Sequence, residues 1–228
     1  MSVYLDHAAS SPLRPEALAA FTRQLEVCGN PSSVHQFGQS TRMALEEARE
    51  KLAAVVDCDR SEIIFTSGGT EGNNLAITGL ALAQPRGKHI ISARTEHEAV
   101  LETLDFLERI HGFEISWLPV DLVGNIEPAD LRAKLRADTT LVTLMAANNE
   151  TGVVSDLAGI EAVLQGSGSR ALWLVDCVQA LGKLELNLAA TRIDYAPFSG
   201  HKLYAPKGIG MLYVREGSPY TALMAGGG

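Results

Sequence analysis

An α/β fold on a mostly parallel seven-stranded sheet, with helices on both faces, is what this chain predicts. Three observations predict it. Seven short runs rich in apolar and β-branched residues recur along the 228 residues. They are continuously apolar, as strands covered on both faces are, where half-exposed strands would alternate. Helix-period segments separate most of them, and parallel strands need such crossovers.

The elements follow in order. Gln39–Val56 reads as a helix, with Leu45, Ala48, Leu52, Val55 and Val56 on one stripe and Glu46, Glu47, Glu50 and Lys51 largely off it. Glu62–Thr66 reads as the first strand, and a helix runs through Asn74-Leu75-Ala76-Ile77 after it. His89–Ala93 is the second strand, and His97–Ile110 a helix carrying Val100, Leu101, Leu104 and Leu107. Strands follow at Phe113–Leu118, Thr140–Met145, Leu172–Val175, Ile193–Phe198 and Ile209–Val214. The last two lie too close for a helical crossover, so an antiparallel pair is expected there. No internal repeat, low-complexity tract or linker divides the chain, and one domain is expected.

Composition narrows the function. With 46% hydrophobic residues the chain is long enough for a substantial core. A net charge of −8 and no basic run argue against nucleic acid or an anionic membrane as the main partner. No apolar stretch approaches the roughly 20 residues of a membrane helix. The start, Met1-Ser2-Val3-Tyr4-Leu5-Asp6, carries no signal-peptide pattern. Cys28, Cys58 and Cys177 are too scattered for a disulfide framework or a zinc site, and the six histidines show no ligand spacing. No metal is expected, and a reducing cytoplasm is the economical location.

Several polar groups fall where ligands bind in such sheets, beyond the carboxyl ends of strands. Ser67-Gly68-Gly69-Thr70 links a strand to a helix; glycines and free N–H groups at a helix start suit a phosphate, although an ordinary turn capped by Thr70 reads equally well. It lacks the lysine of a P-loop. Asp176 ends an apolar strand that would bury it, either as a charge partner or as the cap of a following helix. His97 opens a helix, where a lone histidine is more often simply solvated. Asn148-Asn149-Glu150 is first a turn signal. Phe198-Ser199-Gly200-His201-Lys202 sets a lysine behind small and polar groups at a strand end, the placement needed to form an imine with a carbonyl cofactor. Lys207, behind Pro206 in a glycine-rich turn, suits the surface better. Gly166-Ser167-Gly168-Ser169-Arg170-Ala171 matches a dinucleotide pattern but precedes a strand, so it reads as a loop.

Taken in order with Tyr4-Leu5-Asp6-His7-Ala8-Ala9 and Thr66-Ser67-Gly68-Gly69-Thr70-Glu71, this string resembles the cysteine desulfurases of the iron–sulfur assembly type. These are pyridoxal-phosphate (PLP) enzymes of the class V aminotransferase family. The resemblance runs to Gly226-Gly227-Gly228. It implies an aspartate aminotransferase-like large domain over residues 1–228, including an N-terminal segment of about 15 residues. Gly69, Thr70, Ser199 and His201 would hold the cofactor phosphate, Asp176 its pyridine nitrogen and Gln179 its ring hydroxyl. His97 would stack on the ring and shuttle protons. Asn149 would touch cofactor and substrate carboxylate, and Lys202 would carry the imine and move the α-proton.

The implied reaction removes sulfur from L-cysteine, giving alanine and an enzyme persulfide for a sulfur acceptor or scaffold protein, in a homodimer. Another PLP enzyme of this fold, an aminotransferase or selenocysteine lyase, remains open, as does a non-catalytic PLP-binding subunit. Departures from the family pattern are Ser10-Ser11, Gly72, Cys177 and Ala205. The family continues past the glycine turn into a smaller domain bearing the nucleophilic cysteine, a substrate arginine and a phosphate-site threonine. None of the three cysteines here aligns with that nucleophile, so this chain alone is expected not to turn over cysteine. Cys177 is expected to be an inert packed thiol.

Overall fold

The computed structural model describes residues 2–83 and 86–226; Gly227 and Gly228 of the glycine turn lie outside them. In chain order come α1 (Pro15–Leu25), α2 (Gln36–Val56), a 3-10 turn (Arg60–Glu62), β1 (Ile63–Thr66), α3 (Gly69–Ala83), β2 (His89–Ala93) and α4 (Glu98–His111). There follow β3 (Glu114–Leu118), α5 (Pro128–Lys134), β4 (Thr139–Met145), α6 (Leu157–Gly166), β5 (Leu172–Asp176), β6 (Tyr195–Ser199), a second 3-10 turn (Gly200–Lys202) and β7 (Gly210–Val214). Local chemistry sets the boundaries. Proline opens α1 and α5, while the side chains of His35, His97 and Asp156 accept N–H bonds at the heads of α2, α4 and α6. Asp57 and Gly112 end α2 and α4 in the left-handed region, at φ 53° and 68°.

One sheet takes the seven strands in the order β1-β7-β6-β5-β4-β2-β3. β2, β3, β4, β5 and β6 pair in parallel, and β7 runs antiparallel to both β6 and β1. The seven-stranded, mostly parallel expectation holds, as does the antiparallel last pair. The sixth strand starts at Tyr195 and ends at Ser199, two residues later than its apolar run begins and one later than it ends. Asp194 stands outside because its carboxylate accepts the Trp173 N–H at 2.8 Å.

Two apolar layers cover the sheet. On one face α3 and α4 pack Leu75, Ile77, Leu80, Val100, Leu104 and Leu107 over Ile90, Leu141 and Leu174. On the other, α2, α5 and α6 contribute Val56, Leu131 and Ile160 to a layer containing Val142, Trp173 and Val175. The stripe expected on α2 is only partly inward: Val56 is buried and Leu45 and Leu52 are partly buried, whereas Ala48 is exposed and Val55 is 61% exposed; Ala53, off that stripe, is buried instead. Helix α3 lies so close to β6 that a Cβ on Gly72 would meet Pro197 Cβ at 2.8 Å, which accounts for glycine there.

Candidate active site

A cavity of about 160 Å³ opens where β4, β5 and β6 end and α3 and α4 begin. Every residue expected at the site lines it: Gly69, Thr70, His97, Asn149, Asp176, Gln179, Ser199, His201 and Lys202. Strand ends bring Asp176 and Ser199, and helix starts bring Gly69, Thr70 and His97. Asp176 is the last residue of β5 and 5% exposed. Its Oδ1 accepts from Val178 N–H at 2.9 Å and its Oδ2 from Asn73 Nδ2 at 2.7 Å. No regular helix follows β5, and the bond from Val178 N–H makes Asp176 the cap of the turn that takes its place. Burial holds its carboxyl above the ordinary range, opposed by those two bonds and by His97 and Lys202.

Lys202 is half-buried at the end of the 3-10 turn, three residues past β6 rather than at the strand end itself. Its Nζ donates to the carbonyls of Ala8 at 2.5 Å and Ala9 at 2.8 Å. Burial lowers its pKa, and Asp6, Asp176 and Glu150 counter that. A less basic amine is a better nucleophile near neutral pH. Tyr204 lies two residues on at φ 62°, a left-handed conformation costly for an aromatic residue. It is held by Ser11 Oγ on its N–H and by the Arg14 N–H on its carbonyl.

The anion end combines the head of α3 with Thr70, Ser199 and His201. Burial, then Lys202 and Lys207, lower the His201 pKa and favour the neutral ring. A Cβ on Gly69 would meet Val178 Cγ2 at 2.6 Å, so glycine lets this turn approach the turn after β5 closely. Ser67 is not available there, because its N–H and Oγ both bind Glu71.

Three readings change in detail. Gln179 is buried; its Nε2 donates to Ala8 O and its Oε1 accepts from Lys183, so in this arrangement its amide is spent within the protein. Asn148 carries the turn, its Oδ1 accepting from Glu150 and Thr151 N–H, which leaves Asn149 to line the cavity. His97 caps α4 through Nδ1, accepting from Ala99 N–H at 3.0 Å. Asn73 also lines the cavity and was not among the expected residues; its place three residues after Thr70, on the same side of α3, was the available signal. Among the described residues, no cluster of three or more metal-binding side chains occurs, and no helix is long and apolar enough to cross a membrane.

Cys177 is fully buried, and burial with the Asp176 charge beside it pushes its thiol up. Cys58 is half-buried and pushed up to about 12 by burial and nearby carboxylates, whereas Cys28 is exposed. A thiol reagent at neutral pH is therefore expected to modify Cys28 first, Cys58 slowly and Cys177 only after denaturation. Peptide mass mapping over time checks this; early labelling of Cys177 in the folded chain would contradict it.

A buried carboxylate, a half-buried lysine and a helix start thus meet in one cavity at the carboxyl ends of the parallel strands of an α/β domain. The model of the class-V aminotransferase family matches residues 3–228, and this chain belongs to that family. It is 47% identical over 227 residues to "Cysteine desulfurase IscS" of Dictyoglomus turgidum, covering 99% of this chain and 57% of that relative. It is 46% identical over 226 residues to "Cysteine desulfurase 2" of Trichormus variabilis, covering 99% and 56%. Among solved structures, one described as a NifS-like protein superposes with a TM-score of 0.95 at 37% identity, covering 100% of this chain and 62% of that one. Another, described as SspA in complex with cysteine, gives 0.93 at 36% identity, covering 99% and 65%. The chain thus spans a little over half the length of the curated relatives.

Proposed function

We propose that these 228 residues are the pyridoxal-phosphate-binding large domain of a cysteine desulfurase. The observation that carries the reading is that Asp176, Lys202 and the head of α3 line one cavity. The donor set fits the cofactor. Thr70, Ser199 and His201 with the free N–H groups of α3 suit a phosphate. The buried carboxylate of Asp176 suits a protonated pyridine nitrogen. His97 covers the ring face. Asn149 is within reach of the substrate carboxylate. Gln179 reaches the ring hydroxyl once its bond to Ala8 is exchanged.

When bound, pyridoxal phosphate supplies the electron sink for breaking bonds at the α-carbon. Asp176 keeps the ring nitrogen protonated. Lys202 would hold the cofactor and carry the proton to and from the substrate α-carbon, and His97 would pass protons to and from the leaving sulfur. A thiol from outside residues 1–228 takes the sulfur of L-cysteine, so that cysteine and thiol become alanine and persulfide. The persulfide then passes to a sulfur acceptor. A cytoplasmic homodimer completes the proposal.

Adding pyridoxal phosphate and reducing with borohydride is expected to leave the label on Lys202, as peptide mass analysis would show. Label on Lys183 or Lys207 with Lys202 unmodified would overturn the assignment. In a protein of the relatives' full length, keto-acid formation without alanine release from L-cysteine would overturn the desulfurase reading while keeping the cofactor.

A further inference from the structure

Behind Asp176 lies a second carboxyl that none of the roles above uses. Glu96, in the turn between β2 and α4, is 5% exposed. Its Oε1 accepts from Met145 N–H at 2.8 Å, while Oε2 is buried without a partner. No lysine or arginine pairs with it among the described ion pairs. Met145 stands directly opposite Asp176 in the β4–β5 register.

The surroundings are short of donors and acceptors in a telling way. Asn73 is 1% exposed and donates to Asp176 from Nδ2, yet its own Oδ1 is buried with no partner. Ser92 and Thr143, the next residues after the paired Ile91 and Val142, add two more buried hydroxyls without partners. Strand alternation puts Ser92, Thr143 and Asp176 on the α3–α4 side of the sheet, with Ile90, Leu141 and Leu174. An ionised Glu96 would place a second negative charge beside Asp176 with a single N–H to hold it, which buried carboxylates do not tolerate. It would also leave Asn73 Oδ1 an acceptor with nothing to accept.

We propose that Glu96 is a neutral positioning residue whose Oε2–H donates to Asn73 Oδ1 and so locks Asn73 Nδ2–H onto Asp176. Only one of the two buried carboxyls then carries charge, and it is the one that faces the cavity. Burial pushes the Glu96 carboxyl well above the ordinary range; the Met145 N–H pulls it back in part, and the charge of Asp176 adds to the rise. The charged group acting on it is Asp176 from β5; the titratable His97 is the next residue along, and Lys202 acts on Asp176. An amide whose oxygen is bound from behind cannot flip, so the orientation of Asp176 is fixed before any ligand arrives. The consequence for the cofactor rests on the reading of Asp176 given above. The protonation itself is a property of the cofactor-free chain, so the two can fail separately.

The test is infrared spectroscopy of the cofactor-free 228-residue chain at neutral pH, with isotope-labelled glutamate side chains. A single protonated glutamate band is expected, absent in Glu96→Gln and shifted in Asn73→Ala, where the hydroxyl loses its acceptor. No such band in the unsubstituted chain, or one that survives Glu96→Gln, overturns the neutral carboxyl. A band unmoved in Asn73→Ala overturns the link to Asn73. Exchange of the Asn73 side-chain amide, followed by NMR, provides a second reading that needs no substitution at Asn73. It is expected to quicken about tenfold or more in Glu96→Ala and to be restored toward normal in Glu96→Gln, whose amide can still donate. Equal protection in Glu96→Ala and the unsubstituted chain overturns the proposal. Pyridoxal-phosphate affinity is expected to follow the same order, with about a tenfold loss in Glu96→Ala and rescue in Glu96→Gln. Unchanged affinity in a Glu96→Ala chain that binds the cofactor counts against positioning, whereas no binding by any variant counts against the cofactor reading alone.

Discussion

Asp176→Ala is expected to weaken pyridoxal-phosphate binding by about two orders of magnitude or more. The substitution leaves a pyridinium in a buried site with no anion beside it, and breaking a buried charge pair costs about 3–5 kcal/mol. At 1.36 kcal/mol per decade that is roughly two to four decades. It also strips the Val178 N–H and Asn73 Nδ2 of their common acceptor. The folded chain without cofactor should tolerate the change far better, because burial already disfavours the charged form of Asp176. Fluorescence titration beside a thermal melt separates the two effects. Near-normal affinity in a well-folded Asp176→Ala chain would remove Asp176 from the site.

Trp173→Ala carries the largest expected cost to stability. Trp173, the second residue of β5, is fully buried and among the largest side chains of the layer under α2, α5 and α6. Truncating such a residue costs about 3–5 kcal/mol. For a chain of this length each kcal/mol lowers Tm by about 2–4 °C, so a drop of roughly 6–20 °C is expected. Trp173→Phe should cost well under half as much. It keeps most of the packing and removes an indole N–H that is buried without a partner. Equal losses in the two variants would show that the indole nitrogen, not the bulk of the ring, is what β5 needs.

The sheet is largely legible in the sequence because its strands are short apolar runs between helices. His89–Ala93 coincides with β2, and the other six strands differ from their apolar runs by one or two residues at an end. The cavity is legible as a string of motifs, since each strand end or helix start brings its own polar group to the same rim. What local pattern does not carry is depth. Glu96 sits between Thr95 and His97-Glu98 and reads as one of several solvated charges, yet it is 5% exposed because its turn folds back onto β4. Asn73 reads as a polar position on a helix, and its partner Asp176 is 103 residues away. Gln179 reads as a surface amide until the N-terminal segment is laid across it. Val55 errs the other way: it keeps the apolar period of α2 and faces water.

The N-terminal segment reaches its place only by meeting residues near the far end of the chain. Ser11 donates its N–H and its hydroxyl to the His201 carbonyl, 190 residues later, and Lys202 closes onto Ala8 and Ala9. Strand β1 waits for most of that interval, since its neighbour in the sheet is β7. A ribosome adding about 5–20 residues per second needs roughly 10–40 s to cover that interval. Throughout it the exposed Val3 and Leu5 and the unpaired rim of β1 are open to chaperones, proteases and one another. A nascent chain halted before Tyr195 holds β1 to β5 but lacks β6, β7 and Lys202, so β1 has no strand to pair with and the cavity has no amine.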